Sequence, residues 1–228
     1  MVTEIGALKR RRRIRQILVT MTFALALSLG IYLVYFSEVF GLQKISVQGS
    51  KIVGSAEIIR TASIPLGTPL AQINTDEVMK NLRVFPSIGN VEVRRVWPSE
   101  IVLAITERSP VATMAMNGKW RFIDSSGIIY GETSRIPEGL IPVTAESASA
   151  RIAVAKVIGS LPASIKRQVL TISASSEDSV ELTLTGSRQV FWGSPTQSNR
   201  KVKVLSVLLN KRASFYDVSA PNFPTTRK

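Results

Sequence analysis

The 228-residue sequence contains no cysteine and no histidine. Without cysteine there is no disulfide framework, no thiolate nucleophile and no zinc–thiolate site. Without histidine there is no Ser-His-Asp relay, no imidazole metal ligand and no side chain that ordinarily titrates near neutrality. Acids are scarce too: 16 Asp and Glu stand against 29 Lys and Arg, a formal net charge of +13. Glu177 and Asp178 are followed only by Glu181, too few closely spaced oxygens for a calcium loop. Gly127, Gly131 and Gly139 fit neither a GxGxxG turn nor a P-loop. The expectation is a chain that is not an enzyme and uses no metal or cofactor.

What is present is unevenly spread. Residues 1–16 hold Lys9, Arg10, Arg11, Arg12, Arg13 and Arg15 against Glu4 alone. Directly behind them, Ile17 to Phe36 is a run of 20 residues without a charge. At about 1.5 Å per residue, roughly 20 helical residues cross the hydrocarbon of a bilayer. Tyr32, Tyr35 and Phe36 gather at its far end, where aromatic rings favour the headgroup level. A secretory signal has a shorter apolar stretch ending at a small-residue cleavage site; Ala24-Leu25-Ala26 lies mid-run, and no such site follows Phe36. A buried core helix would show a polar stripe, which this run lacks. We expect a cytoplasmic basic tail over 1–16 and a transmembrane helix over 17–37. The six basic residues keep the N-terminus inside, which makes a single-pass type II protein of the cell membrane. They are explained by topology and not by nucleic-acid binding.

The remainder divides near Pro110. Ile45 and Val47 alternate with polar neighbours as in a strand that Gly49 stops. Ser55 is placed to cap a short helix through Ile58 and Ile59, and Pro65, Gly67 and Pro69 mark a loop. Asn74 and Glu77 have capping-box spacing for a second helix, carrying Val78 and Leu82 and ending at Phe85-Pro86. Two alternating strands, 91–97 and 101–107, are joined by Trp97-Pro98-Ser99-Glu100. The order is strand, helix, helix, strand, strand, over 40–109.

These segments carry a resemblance. SVQGS behind an anchor, LGTPL, FPSI, VEVRRVWPSEIVLAITERSPVA and WRFIDSSGIIY resemble the bacterial cell-division proteins of the FtsQ/DivIB family. The first module resembles their POTRA domain, and the tail PNFPTTR is similar to members from high-GC Gram-positive bacteria.

Beside that likeness, the second half reads as β-rich. Asn117-Gly118 is a hairpin signal between 111–116 and 120–123, and Asp124-Ser-Ser-Gly127 turns the chain into 128–130, its carboxylate accepting local N–H groups. Val154, Val157, Ile158 and Leu161 fall on one helical face. Strands follow at 169–174, 180–184 and 189–192. A second helix carries Val202, Leu205, Leu208 and Leu209 inward and Arg200, Lys201 and Lys203 outward. A last strand runs from Ser214 to Ser219. The fold class expected is therefore a single transmembrane helix followed by α+β: a small β-α-α-β-β POTRA module, then a β domain with two helices over 110–220 and a tail over 221–228.

Two functions compete. Ser198-Asn-Arg-Lys201 fits the SxxK pattern of penicillin-binding enzymes, which would make a membrane-anchored serine wall hydrolase or acyltransferase; the companion SDN and KTG elements are missing. The other is binding. A last strand leaves unpaired N–H and C=O groups to which an extended partner can add. The family resemblance implies a division scaffold at the septum that recruits FtsB/DivIC-like and FtsL-like bitopic proteins, and links cytoplasmic assembly to wall synthesis outside. It also implies that Phe215, Tyr216, Asp217 and Val218, with Lys201 and Leu205 on the preceding helix, form the partner site. Neither nucleic acid nor a small-molecule substrate is expected.

Overall fold

The computed structural model describes residues 2–36 and 40–228, with side chains described for 15–33 and 40–228. Helix α1, Val2–Phe36, contains the stretch Arg15–Leu33, long and apolar enough to cross a membrane and exposed along its length. The serine and threonine hydroxyls of that stretch are satisfied inside the helix: Thr20 donates to the Gln16 carbonyl, Thr22 to Leu18 and Ser28 to Ala24. That is how polar side chains are tolerated where no water competes. The side chains of Lys9, Arg10, Arg11, Arg12, Arg13, Tyr35 and Phe36, and position 37 at the expected end of the span, lie outside the described residues.

The chain splits into two compact units after Glu107. Beyond α1, the first comprises β1 Lys44–Gln48, α2 Ser55–Ala62, a 3-10 turn Leu70–Gln72, α3 Thr75–Leu82, β2 Ile88–Val96 and β3 Glu100–Glu107. The sheet order is β1-β3-β2, with β1 parallel and β2 antiparallel to β3. Ile58, Ala62, Val78 and Leu82 of the helices bury against Ile101, Leu103 and Ile105 of β3. Helix α3 starts as its sequence requires: the Asn74 side chain accepts the Asp76 and Glu77 amides at 3.1 and 3.3 Å. Helix α2 differs from expectation, since Gly54 occupies the cap and Ser55 is already the first helical residue.

Gly49 has φ +82°, and a Cβ there would meet the Ile105 carbonyl oxygen at 2.2 Å. Only glycine satisfies both the left-handed backbone and the approach of β3. Gly49→Val should cost this unit about 3 kcal/mol or more, the strain of a non-glycine left-handed residue plus the clash. Hydrogen exchange of the β1 and β3 amides in the full chain would show it as lost protection.

The second unit runs β4 Pro110–Met116, β5 Lys119–Asp124, β6 Ile129–Thr133, β7 Ile141–Ala145, α4 Ala148–Ser160, α5 Ala163–Lys166, β8 Val169–Ala174, β9 Val180–Leu184, β10 Arg188–Gly193, α6 Ser198–Leu208, β11 Phe215–Asp217 and β12 Thr225–Arg227. These strands form one nine-stranded sheet, ordered β12-β11-β10-β9-β8-β7-β4-β5-β6. Parallel neighbours need crossovers, and α4 and α6 supply them, between β7 and β8 and between β10 and β11. Val154, Val157, Ile158 and Leu161 are buried in the core with Leu205 and Leu208, so both helices close over one hydrophobic layer.

Three features depart from expectation. Strand β7 is central, although Pro142 argues against a strand interior. Helix α5 adds a single turn to the two helices expected. The strand read as ending the fold at Ser219 is not the last: the tail returns as β12 and pairs antiparallel with β11, Phe215 opposite Arg227 and Asp217 opposite Thr225.

Candidate functional site

The residues singled out for binding converge where β10, α6 and β11 meet. Strand β11 lies parallel to β10, with the Gln189 N–H donating to the Ser214 carbonyl at 2.8 Å and the Val218 N–H to Phe191 at 3.0 Å. Alternation then decides burial. Tyr216 and Val218 point inward and are fully buried; the Tyr216 hydroxyl donates to the Lys211 carbonyl at 2.9 Å. Phe215 and Asp217 point the other way and are half-buried. Asp217 Oδ1 accepts the Ser219 amide and hydroxyl, at 2.9 and 2.7 Å, and so shapes the chain leaving the strand.

Lys201 corrects the sequence reading. It is 1% exposed and does not lie on the outer side of α6 with Arg200 and Lys203. Its position, four residues before Leu205 and seven before Leu208, is on the inward stripe of the helix. Nζ donates to the Trp192 carbonyl at 2.9 Å and the Ser194 carbonyl at 2.8 Å. Burial holds its pKa below that of an ordinary lysine, opposed by the charges of Asp178 and Asp217. Leu205 is also fully buried. Four of the six residues expected to meet a partner, Lys201, Leu205, Tyr216 and Val218, therefore build the floor of this region and offer no surface of their own.

The SxxK pair is engaged in the same architecture. Ser198 Oγ donates to the Pro195 carbonyl at 2.7 Å and accepts the indole N–H of Trp192 at 3.3 Å. Both Ser198 and Lys201 thus direct donors at backbone carbonyls that shape the turn into α6. Asp124 likewise serves a turn: Oδ1 accepts the Ser126 and Ile128 amides at 2.9 Å each, and Oδ2 pairs with Arg108, a partner the sequence did not reveal. The adjacent Tyr130 hydroxyl donates to the Arg108 carbonyl, and burial pushes its pKa up to about 12. No group of three or more acidic side chains suited to a metal occurs among the described residues.

What covers β11 on its outer side is β12. Its three residues are all exposed, and the Arg227 guanidinium lies 4.6 Å from the centre of the Phe215 ring. Beside this end of the sheet is an open groove of about 650 Å³ bordered by Arg188, Lys211, Arg212 and Lys228. Neither the groove nor β12 was anticipated. Thr225 and Thr226, two β-branched residues behind Pro224, were the available sign of a strand.

Residues 40–108 match the POTRA domain of FtsQ type, and residues 112–219 match the C-terminal domain of the cell division protein FtsQ/DivIB. Cell division protein FtsQ of Streptomyces bingchenggensis is 35% identical over 237 residues, which covers 95% of this chain and 89% of that protein. The chain belongs to the FtsQ/DivIB family of cell-division proteins. The FtsQ of Streptomyces venezuelae is 32% identical, covering 93% of this chain and 83% of its own length. That of Mycolicibacterium smegmatis is 31% identical, covering 89% and 62%. The major extracytoplasmic domain of DivIB from Geobacillus stearothermophilus is 14% identical with a TM-score of 0.35, covering 51% of this chain and 97% of that one. The FtsQ/DivIB match ends at Ser219, so β12 lies just beyond the segment matched to the family.

Proposed function

We propose that this FtsQ/DivIB-family chain is a division scaffold without chemistry of its own. Anchored once by α1 with its basic N-terminus in the cytoplasm, it recruits FtsB/DivIC-like and FtsL-like proteins on the outer side of the membrane, at the septum. It thereby links assembly inside the cell to wall synthesis outside. The observation that carries this reading is the thinly covered end of the nine-stranded sheet, where, among the described residues, a three-residue strand alone covers the outer edge of β11. An extended partner segment takes the place of β12 on β11, using main-chain bonds for affinity and the outward Phe215 and Asp217 for selection. Lys201, Leu205, Tyr216 and Val218 hold β11 in position from below. The groove of Arg188, Lys211, Arg212 and Lys228 favours acidic residues beside the incoming strand.

Truncation after Ala220 tests this. Removing β12 frees the β11 edge, and the full chain so shortened should bind the ectodomain of its FtsB/DivIC-like partner severalfold more tightly than the intact chain. Phe215→Glu should abolish the gain while leaving unfolding unchanged. If truncation weakens or leaves unchanged the binding, β12 is not the strand that the partner replaces.

A further inference from the structure

The first unit carries an apolar patch that its core does not use. Trp97, in the turn between β2 and β3, is 49% exposed, and its ring meets that of Phe40 edge-on at 5.7 Å. Leu66 is 68% exposed in the loop before the 3-10 turn, and Val96 is exposed beside Trp97. Both loops are fastened to one short segment. The Leu42 N–H donates to the Thr68 carbonyl at 2.9 Å, Gly67 N–H to the Leu42 carbonyl at 2.8 Å, and Gln43 N–H to the Ser99 carbonyl at 2.8 Å. That segment is where the chain arrives from α1. The four-residue step from Phe36, where α1 ends, to Phe40 spans at most about 14 Å.

A tether this short keeps the patch beside the bilayer whenever α1 crosses it. The interfacial layer outside the hydrocarbon is about 5–8 Å deep on each side. It is also where an indole is best placed, with an apolar body and a polar N–H. Clustered exposed apolar groups mark a contact surface. We propose that Phe40, Leu66, Val96 and Trp97 form a collar that rests in the headgroup layer of the membrane crossed by α1, and holds the first unit against it. The collar orients this unit by lipid contact, independently of any partner at β11.

The absence of cysteine makes site-directed labels unambiguous. The full chain is reconstituted in phosphatidylcholine–phosphatidylglycerol vesicles with a nitroxide at Leu66→Cys or, as control, at Ile52→Cys. Ile52 is equally exposed, but its amide binds Glu107, at the other end of β3 from Glu100. Seven residues of strand place it about 23 Å from the collar. The Leu66 label should show an oxygen-to-nickel-chelate accessibility ratio severalfold higher than the Ile52 label, the signature of lipid, and Trp97→Ser should lower it. Equal, water-like ratios at both positions would overturn the proposal, as would a Leu66 label shielded from both reagents, which would mean a protein cover. Release of the chain from the vesicles by alkaline carbonate would remove the anchor and the collar together.

Discussion

Replacing Trp192 with alanine should destabilise the second unit by about 3–5 kcal/mol, the cost of emptying a buried tryptophan site. Against a total of about 5–15 kcal/mol for a folded domain, that removes between about a fifth and all of the stability. Trp192 has no exposed surface and sits in β10, whose carbonyl also receives Lys201. Its indole N–H donates to Ser198 at the first residue of α6. One side chain therefore joins the strand that supports β11 to the helix that leads to it. Denaturant unfolding of the purified chain should show a lower midpoint at an unchanged slope, because the surface exposed on unfolding is the same. Partner binding should fall with the folded fraction. A loss below about 1 kcal/mol would be too small for a large residue in a well-packed core and would sink this account of the β10–α6 junction.

Lys201 should give the second large effect, and its variants separate packing from hydrogen bonding. Lys201→Ala removes a buried aliphatic stem and strips the Trp192 and Ser194 carbonyls of their donor; the expected loss is about 3 kcal/mol. Lys201→Met keeps most of the volume and removes the ammonium, so about half that loss should remain. The pH dependence is diagnostic. Burial sets the folded-state pKa of Lys201 below its ordinary value of 10.5, so below both values the folded protein bears the cost of a buried charge. That cost is relieved as pH rises through the folded pKa towards the unfolded one. The stability gap between the wild type and Lys201→Met should therefore widen in the alkaline range. A gap that narrows there would mean that the ammonium is net stabilised where it sits.

Much of the fold was legible because local pattern and tertiary demand agreed. Asn74 caps α3 through the amides its position predicts, and Val154, Val157 and Ile158 lie on the buried face of α4, which the buried Leu161 at its C-cap continues. Strand β7 was not legible: Pro142 argues against a central strand, and the alternation of Ile141 and Val143 is too short to outweigh it. The neighbours β4 and β8 place it in the sheet. The candidate site was legible as a region but not as a surface. Charge led Lys201 to be read as outward, yet the helical stripe it shares with Leu205 and Leu208 carries it inside, where two carbonyls meet its ammonium. The Arg108–Asp124 pair and the Arg227 cover of Phe215 join residues too far apart in sequence for any local pattern to link them.

Composition alone settled the want of histidine and cysteine chemistry, and periodicity settled the apolar span and the strand–helix–helix–strand–strand module, since those two depend on neighbours within a few positions. Whether β11 has a free edge was decided elsewhere. A strand's edge is open or closed by whatever chain lies beside it in space, and here that is Thr225 to Arg227, brought back by a turn whose outcome no period in the sequence announces.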